Sequence, residues 1–374
     1  MHHNVKFKST ESETLFFEEV KKEVLSYFDN NNKSIYANIE MMSKFFLWMI
    51  FWAISWYSII IFKDHFWLAV AIGIVHMFSH VMIAFNIAHD ANHNAMFKSK
   101  KTNLFVGYVI ELLGCSRKMW VLSHNQEHHS FINIHKHDNN IDGYNLLRLC
   151  PKDEWLPHYK YQWLYAPFLY GLATLNYATM RDIKLLFRYG KKYSSQFPFK
   201  FYVEFALFKI VYYSYLFIIP VFVFGVSIKI IILYFLLGHF INGLFLTLIF
   251  VTGHLVESTT YPDVNENVVD KNWAVHVIST TCDYSTGSNF MQWLIGGINL
   301  HVAHHLFPKI CHVHYKAISP IIRKVAIDHG YAYQEIPSFR SAVISHFKLL
   351  KDLGRQNIDP IPKNFELTDN SVFI

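Results

Sequence analysis

Four long apolar runs decide what this chain can fold into. They cover Phe45–Phe62, Phe66–Ala88, Phe205–Val226 and Ile230–Val251. Each approaches the ~20 residues a helix needs to cross the hydrocarbon core of a bilayer. Within each pair the break is short: Lys63-Asp64-His65 in the first and Ser227-Ile228-Lys229 in the second. The runs therefore pair as two helical hairpins, each with both ends on one face. Lys209, Pro220 and Gly225 interrupt the third run, and membrane helices tolerate Pro and Gly where neighbours satisfy the freed backbone groups. Composition agrees. Charged residues make up 17% of the chain, below the roughly 25% usual for soluble globular proteins.

The expected fold is an all-α integral membrane protein: four transmembrane helices in two hairpins, with a helical cap on the cytoplasmic side. The division is 1–44 as a cytoplasmic N-terminal segment, 45–345 as the membrane domain and 346–374 as a C-terminal tail. Residues 104–114 are apolar but too short to span, and read as a re-entrant or interfacial helix. Residues 161–179 are aromatic without a clean apolar run, and 181–200 read as a basic surface segment. No apolar stretch in the first 44 residues has the form of a secretory signal, and His2 and His3 receive no role.

The net charge is +6 with histidine neutral. Lys and Arg are scattered, without the basic block of a nucleic-acid module, so no nucleic-acid partner is expected. Lys6, Lys8, Lys44, Lys98, Lys100, Lys101, Arg181 and Lys184 fall on the side shared by the N-terminus, 89–200 and 252–374. The short opposite loops hold Lys63 and Lys229. This asymmetry makes the shared side cytoplasmic. Cys115, Cys150, Cys282 and Cys311 form no CxxC pair, so neither a zinc ribbon nor a redox dithiol is expected. Four free thiols suit a reducing compartment.

Histidine carries the chemistry. Of 23, eight fall in three clusters: His89 and His93 in HDANH, His124, His128 and His129 in HNQEHH, and His301, His304 and His305 in HVAHH. On a helix, residues three and four apart share a face, so two imidazoles can bind one metal ion, as in HExxH enzymes. An adjacent His–His pair can split between two ions. Imidazole suits iron, zinc, copper and nickel alike, so ligand type alone selects no metal. Position supports ligation, since His89 follows the second run and His254 lies three residues beyond the fourth. Asp90, Asp138 and Asp142 are near enough to accept the second N–H of a metal-bound histidine, or are solvated loop acids. His76, His80 and His239 lie inside runs and read as packed polar residues. His135 and His137 read as loop or supporting residues, and His312 and His314 as supporting or surface residues.

These three boxes, in this order and with two membrane hairpins among them, resemble the membrane fatty-acid desaturase family. The stretches WLIGGINLHVAHHLFPKICHVHY at 293–315 and WAVHVISTTCDYS at 273–285 look like bacterial linoleoyl-CoA-type and front-end desaturases. The resemblance covers roughly 45–345. It implies two iron ions and nine ligands: the eight box histidines and His254, which matches the extra ligand after the last membrane run. It further implies O2-dependent removal of two hydrogens from neighbouring methylenes of a fatty-acyl chain, carried as acyl-CoA or acyl-lipid in a bent apolar tunnel. It implies residence in the lipid bilayer of a bacterial inner membrane. Two departures stand out. The third box begins with His301 where front-end enzymes commonly carry Gln. Residues 1–44 hold no HPGG haem motif and are too short for a fused cytochrome b5 domain. Electrons are therefore expected from a separate carrier, ferredoxin or cytochrome b5 with its reductase.

Two other readings predict different observables. A fatty-acyl hydroxylase or acetylenase on the same scaffold differs in its product. A histidine-rich metal transporter would place polar residues along a path through the bilayer midplane, where this chain has only His76, His80 and His239. Trp120, Trp273, Trp293 and Tyr284 lie near the boxes or the matched segments and read either as tunnel lining or as packing.

Overall fold

A computed structural model describes residues 5–356; His2, His3 and the tail beyond Gln356 lie outside the described residues. The chain is mostly helical and divides into two compact units. One comprises residues up to Ile35, Ser123–Ala166 and Ile249 onward, and the other comprises Tyr36–Leu122 and Pro167–Leu248.

Four helices are long and apolar enough to cross a membrane: Ile39–Ile61, Phe66–Asn92, Phe199–Val223 and Ile228–His254. Several begin or end a few residues outside the apolar runs, because polar helix ends continue the backbone pattern. Asn38 caps the first by accepting the Met41 N–H at 3.0 Å, a side-chain oxygen serving a donor that has no intrahelical partner. Only 22% of the first and third spans is buried, against 61% of the second. Phe46, Ile50, Ile54, Leu207, Ile210 and Phe222 are exposed on those two outer helices, as residues facing hydrocarbon must be.

Within the second unit, Ile59, Val70, Met77, Tyr212, Leu216, Ile230 and Tyr234 form the core. Three histidines inside the spans are buried and bonded: His76 to Ser55 at 3.1 Å, His80 to Tyr215 at 3.1 Å and His239 to Tyr212 at 3.3 Å. Lys209 is neutralised by Asp182 at 2.8 Å and also donates to the Gly114 and Ala178 carbonyls. Pro220 sits where Ser214–Val223 widens into π-helical turns, a local remedy for the N–H that proline lacks. The 104–114 stretch forms the end of helix Lys100–Gly107 and a tighter 3₁₀ segment, Tyr108–Leu113, stopped by Gly114 at φ +82°. Only a residue without Cβ takes that conformation cheaply. Helix Asp182–Lys192 occupies most of the basic 181–200 segment.

In the first unit, helix Glu11–Asn30 starts with a reciprocal Thr10–Glu13 capping box. It buries Phe16, Val20, Val24 and Phe28 at four-residue spacing, so they line one face. That face packs against Ile318, Ile322 and Val325 of helix Tyr315–Asp328. Burying four such side chains contributes on the order of 2 kcal/mol each before entropy is subtracted. Two short parallel pairings close the unit, Lys6–Phe7 with Val268–Val269 and Asp283–Tyr284 with Glu335–Ile336. Arg148 donates to the carbonyls of Pro151, Asp153, Leu353 and Arg355, tying the C-terminal helix Phe339–Leu353 to the 148–155 loop.

Candidate metal centre

The third box sits on a short helix, His301–Leu306, entered through Gly296 and Gly297 at φ +62° and +64°. Asp283 holds its start: Oδ1 accepts the Val302 N–H at 2.9 Å, while Oδ2 accepts the Ser319 and Tyr333 hydroxyls. His301, His304 and His305 are fully buried. His254 ends the fourth span and points at them. Its Nε2 lies 2.8 Å from His301 Nε2 and 3.0 Å from His305 Nε2.

Protonation decides what those contacts mean. His254 Nδ1 lies 3.0 Å from the Thr280 carbonyl and His301 Nδ1 lies 2.8 Å from the Ile298 carbonyl. A carbonyl only accepts, so both Nδ1 atoms carry hydrogen and both Nε2 atoms carry lone pairs. Two lone pairs facing each other at 2.8 Å repel, and a cation between them turns the repulsion into coordination. The spacing suits that, because nitrogens about 2.0–2.1 Å from one ion at right angles stand roughly 3 Å apart. His305 is held well below the ordinary histidine range, first by burial and then by the imidazoles of His129, His254, His301 and His304. It is therefore neutral and able to donate a lone pair.

The second box departs from the expected helix geometry. Val121–His128 is a π-helix, with the His129 N–H bonding to the His124 carbonyl at 3.0 Å. The wider turn brings positions five apart together, and His124 and His129 Nε2 atoms meet at 3.2 Å. An α-helix would have aligned His124 with His128. His128 is oriented from the other side: Asp138 accepts from Nδ1 with both oxygens at 3.1 Å and also accepts the Asn133 and Asn140 N–H groups. Donor atoms of His128, His254 and His305 lie within 4.8 Å of one another, as do those of His129, His304 and His305. His129 stacks on His305 at 4.2 Å, and the His124 ring stacks at 6.0 Å from His304. Seven of the nine candidate ligands thus gather in the first unit.

His89 and His93 belong to the second unit. They follow a π-helical turn, Ala84–Ala88, at the end of the second span. Their rings stand 4.6 Å apart, and Asp90 Oδ1 is 3.3 Å from His89 Nδ1. Trp120 packs at 6.0 and 5.6 Å from the two rings. The same Trp120 lines a cavity of about 90 Å³ whose other walls include Met77, Val81, Ala84, Ile110, Leu113 and Leu246.

The remaining acids and histidines separate by contact. Asp142 accepts only from the loop N–H of Tyr144 at 3.0 Å. His135 pairs with Asp153 at 2.8 Å, and His314 packs edge-on to Phe28. Tyr284 is buried and donates to the Ile249 carbonyl. Two supports had no signal of their own in the sequence. Asn133, at φ +54°, donates to the His254 and Thr260 carbonyls. Gly253 faces His301 so closely that a Cβ would stand 2.5 Å from its Cδ2. Trp273, which the sequence offered as tunnel lining or packing, donates its indole N–H to the His129 carbonyl at 3.3 Å.

Imidazole donors with fixed tautomers, buried and converging, fit a transition metal such as iron. Among protein families, residues 65–337 match the one described as fatty acid desaturase. Three curated relatives extend the likeness. The sn-1 linoleoyl-lipid 6-desaturase of Synechocystis sp. is 32% identical over 73% of this chain and 77% of its own length. The enzyme of the same name from Arthrospira platensis is 28% identical over 94% and 95%. The acyl-lipid (8-3)-desaturase of Physcomitrium patens is 30% identical over 91% and 72%.

Proposed function

This chain belongs to the fatty acid desaturase family, and from that premise we propose that His89, His93, His124, His128, His129, His254, His301, His304 and His305 hold two iron ions serving O2-dependent desaturation of a lipid-linked acyl chain. The protein is an oxidoreductase of the membrane, and the iron requirement follows from its family. The observation that carries the assignment of ligands is the pair of facing Nε2 lone pairs on His254 and His301, with His305 beside them. One ion takes His128, His254, His301 and His305. The second takes His124, His129 and His304; His89 and His93 remain candidate ligands by their place in the first box.

Bound iron would supply the O2-activating redox chemistry that side chains lack. The protein's own residues do the rest. Asp138 and the Thr280 and Ile298 carbonyls fix which ring nitrogen is free. The cavity takes a stretch of acyl chain and keeps water away, with Trp120 in its wall packed against the His89 and His93 rings;. The relatives named acyl-lipid desaturases favour a lipid-linked substrate over acyl-CoA. The lysine distribution favours two hairpins with the boxes on the cytoplasmic side, and the likeness to bacterial desaturases favours an inner membrane. There a ferredoxin, or cytochrome b5 with its reductase, supplies electrons.

Expression in a bacterial or yeast host with a compatible electron donor tests this, by gas chromatography–mass spectrometry of fatty-acid methyl esters. The wild-type chain yields a new unsaturated species that the His304→Ala/His305→Ala double variant lacks, and the species gives the bond position. A hydroxylated or acetylenic product instead would replace the reaction while keeping the site. Purified protein without about two irons per chain, together with no new product, would overturn the proposal.

A further inference from the structure

Desaturation needs electrons from outside. An acyl –CH2–CH2– unit loses two hydrogens and O2 becomes two waters, which requires two more electrons and two protons. The histidine cluster that must receive those electrons is buried, with its ring members at most 8% exposed, so a route from the surface has to exist.

We infer that Trp273, with Phe17 beside it, is the point where a reduced one-electron carrier protein passes its electrons to the centre. This rests on the iron-binding role proposed above. Trp273 is only partly buried, and its indole N–H reaches the carbonyl of His129 at 3.3 Å. His129 in turn stacks on His305 at 4.2 Å and stands 4.6 Å from His304. The indole meets the Phe17 ring in a T-shaped contact at 5.7 Å. Phe17 is itself half-buried, with the Lys21 ammonium over its ring at 4.2 Å. A continuous path of aromatic contact and one hydrogen bond therefore runs from solvent to a candidate ligand. Electron transfer weakens steeply with each gap in such a path, so continuity is the property that matters.

The other aromatic neighbours of the boxes do not offer this. Trp120 touches His89 and His93 but lines the apolar cavity, which suits it to an acyl chain. Tyr315 approaches His304 with its hydroxyl at 3.5 Å but is fully buried in the core. Among the described residues, Trp273 combines solvent access with a hydrogen bond to a candidate ligand residue. Its position is fixed by sequence neighbours: Asn272 caps the helix Trp273–Thr280 by accepting the Ala274 N–H, and its own amide donates to Ser9 Oγ at 2.9 Å. Each delivery would oxidise the carrier by one electron, which an iron held by the histidines would accept. Two deliveries complete the balance above.

The test is anaerobic stopped-flow reduction of the iron-loaded protein, wild type and Trp273→Phe. The reductants are reduced [2Fe–2S] ferredoxin, reduced cytochrome b5 and, separately, dithionite. Phe keeps an aromatic ring but loses the N–H that holds it to His129. The expected result is at least a tenfold slower reduction of the variant by whichever carrier reduces the wild type, with dithionite reduction and iron content unchanged. Trp273→Leu, which removes the ring, should be slower still. Equal rates with the carrier in all three proteins would overturn the inference. So would loss of iron or equal slowing with dithionite, since Trp273 would then only support His129 structurally. A wild-type chain that binds no iron would overturn the functional reading first, and is distinguished by metal analysis before any kinetics.

Discussion

At Gly253, a single hydrogen atom makes room for a ligand. An alanine there would push its Cβ to 2.5 Å from the His301 ring, closer than such contacts occur, and the backbone on the other side is helix. Gly253→Ala should therefore displace His301 and weaken iron retention by about 10- to 100-fold, the range typical of disturbed metal supports, while the protein still inserts and folds. Chelator competition on purified protein reads this directly, and unchanged retention would mean that His301 is not a ligand. Asp283 gives a pH signature. Burial pushes its carboxyl up to about 6 against the opposing hydrogen bonds from Tyr333, Val302 and Ser319, whereas a free Asp ionises near ~3.9. A raised carboxyl binds its proton more tightly folded than unfolded. Its contribution is thus complete below pH ~4 and is lost as pH rises through about 6. Asp283→Asn should flatten that stretch of the Tm profile, and an unaltered slope would reject the assignment. At this scale the sequence exposed the histidines, because their spacing repeats three times, and it flagged Asp138 by proximity. It was silent on Gly253 and Asn133. Their roles depend on contacts between distant segments, as when Asn133 bonds to the His254 carbonyl 121 positions away.

Among the elements, the four spans were legible because hydropathy over ~20 residues is a strong, local signal. Their ends were less so, since caps such as Asn38 and the helical continuation through His89–Asn92 lie outside the apolar stretch. The π-helical turns were not legible at all. A helix with 3.6 residues per turn and one wider turn share the same apolar pattern, and only tertiary packing selects between them. Two of the three boxes border such turns, Ala84–Ala88 before His89 and Val121–His128 through the second box. The HNQEHH spacing makes sense only with the wider turn, which joins His124 to His129. Inserting one alanine after Asn125 would set His124 and His129 six apart, a spacing that neither an α-helical nor a wider turn brings to one face, and swing the two imidazoles apart. The expected outcome is loss of about half the bound iron with the remaining site spectroscopically intact. Retention of both irons would show that the wider turn is incidental to ligation.

For the molecule as a whole, the metal is also a structural bond. A ligand that binds only the folded state stabilises it by about 2.7 kcal/mol at a hundredfold excess over Kd, and like-charged or lone-pair repulsion returns once it is removed. Stripping iron with a chelator should lower Tm by several degrees, with recovery on adding ferrous ion; an unchanged Tm would place the cluster outside the stabilising core. The packing of helix Glu11–Asn30 on helix Tyr315–Asp328 has a further consequence, for the order of biogenesis. The earlier of these two helices leaves the ribosome well before its partner, and its stripe of Phe16, Val20, Val24 and Phe28 remains uncovered while roughly 280 intervening residues are made and inserted, at 5–20 residues per second;. The histidine set is equally late, since His305 arrives long after His124. A nascent chain stopped before residue 300 therefore has neither a closed first unit nor a place for metal. Iron loading and closure of helix Glu11–Asn30 wait on the same late stretch, His301–Asp328, and a product truncated before it is left as a substrate for membrane quality control.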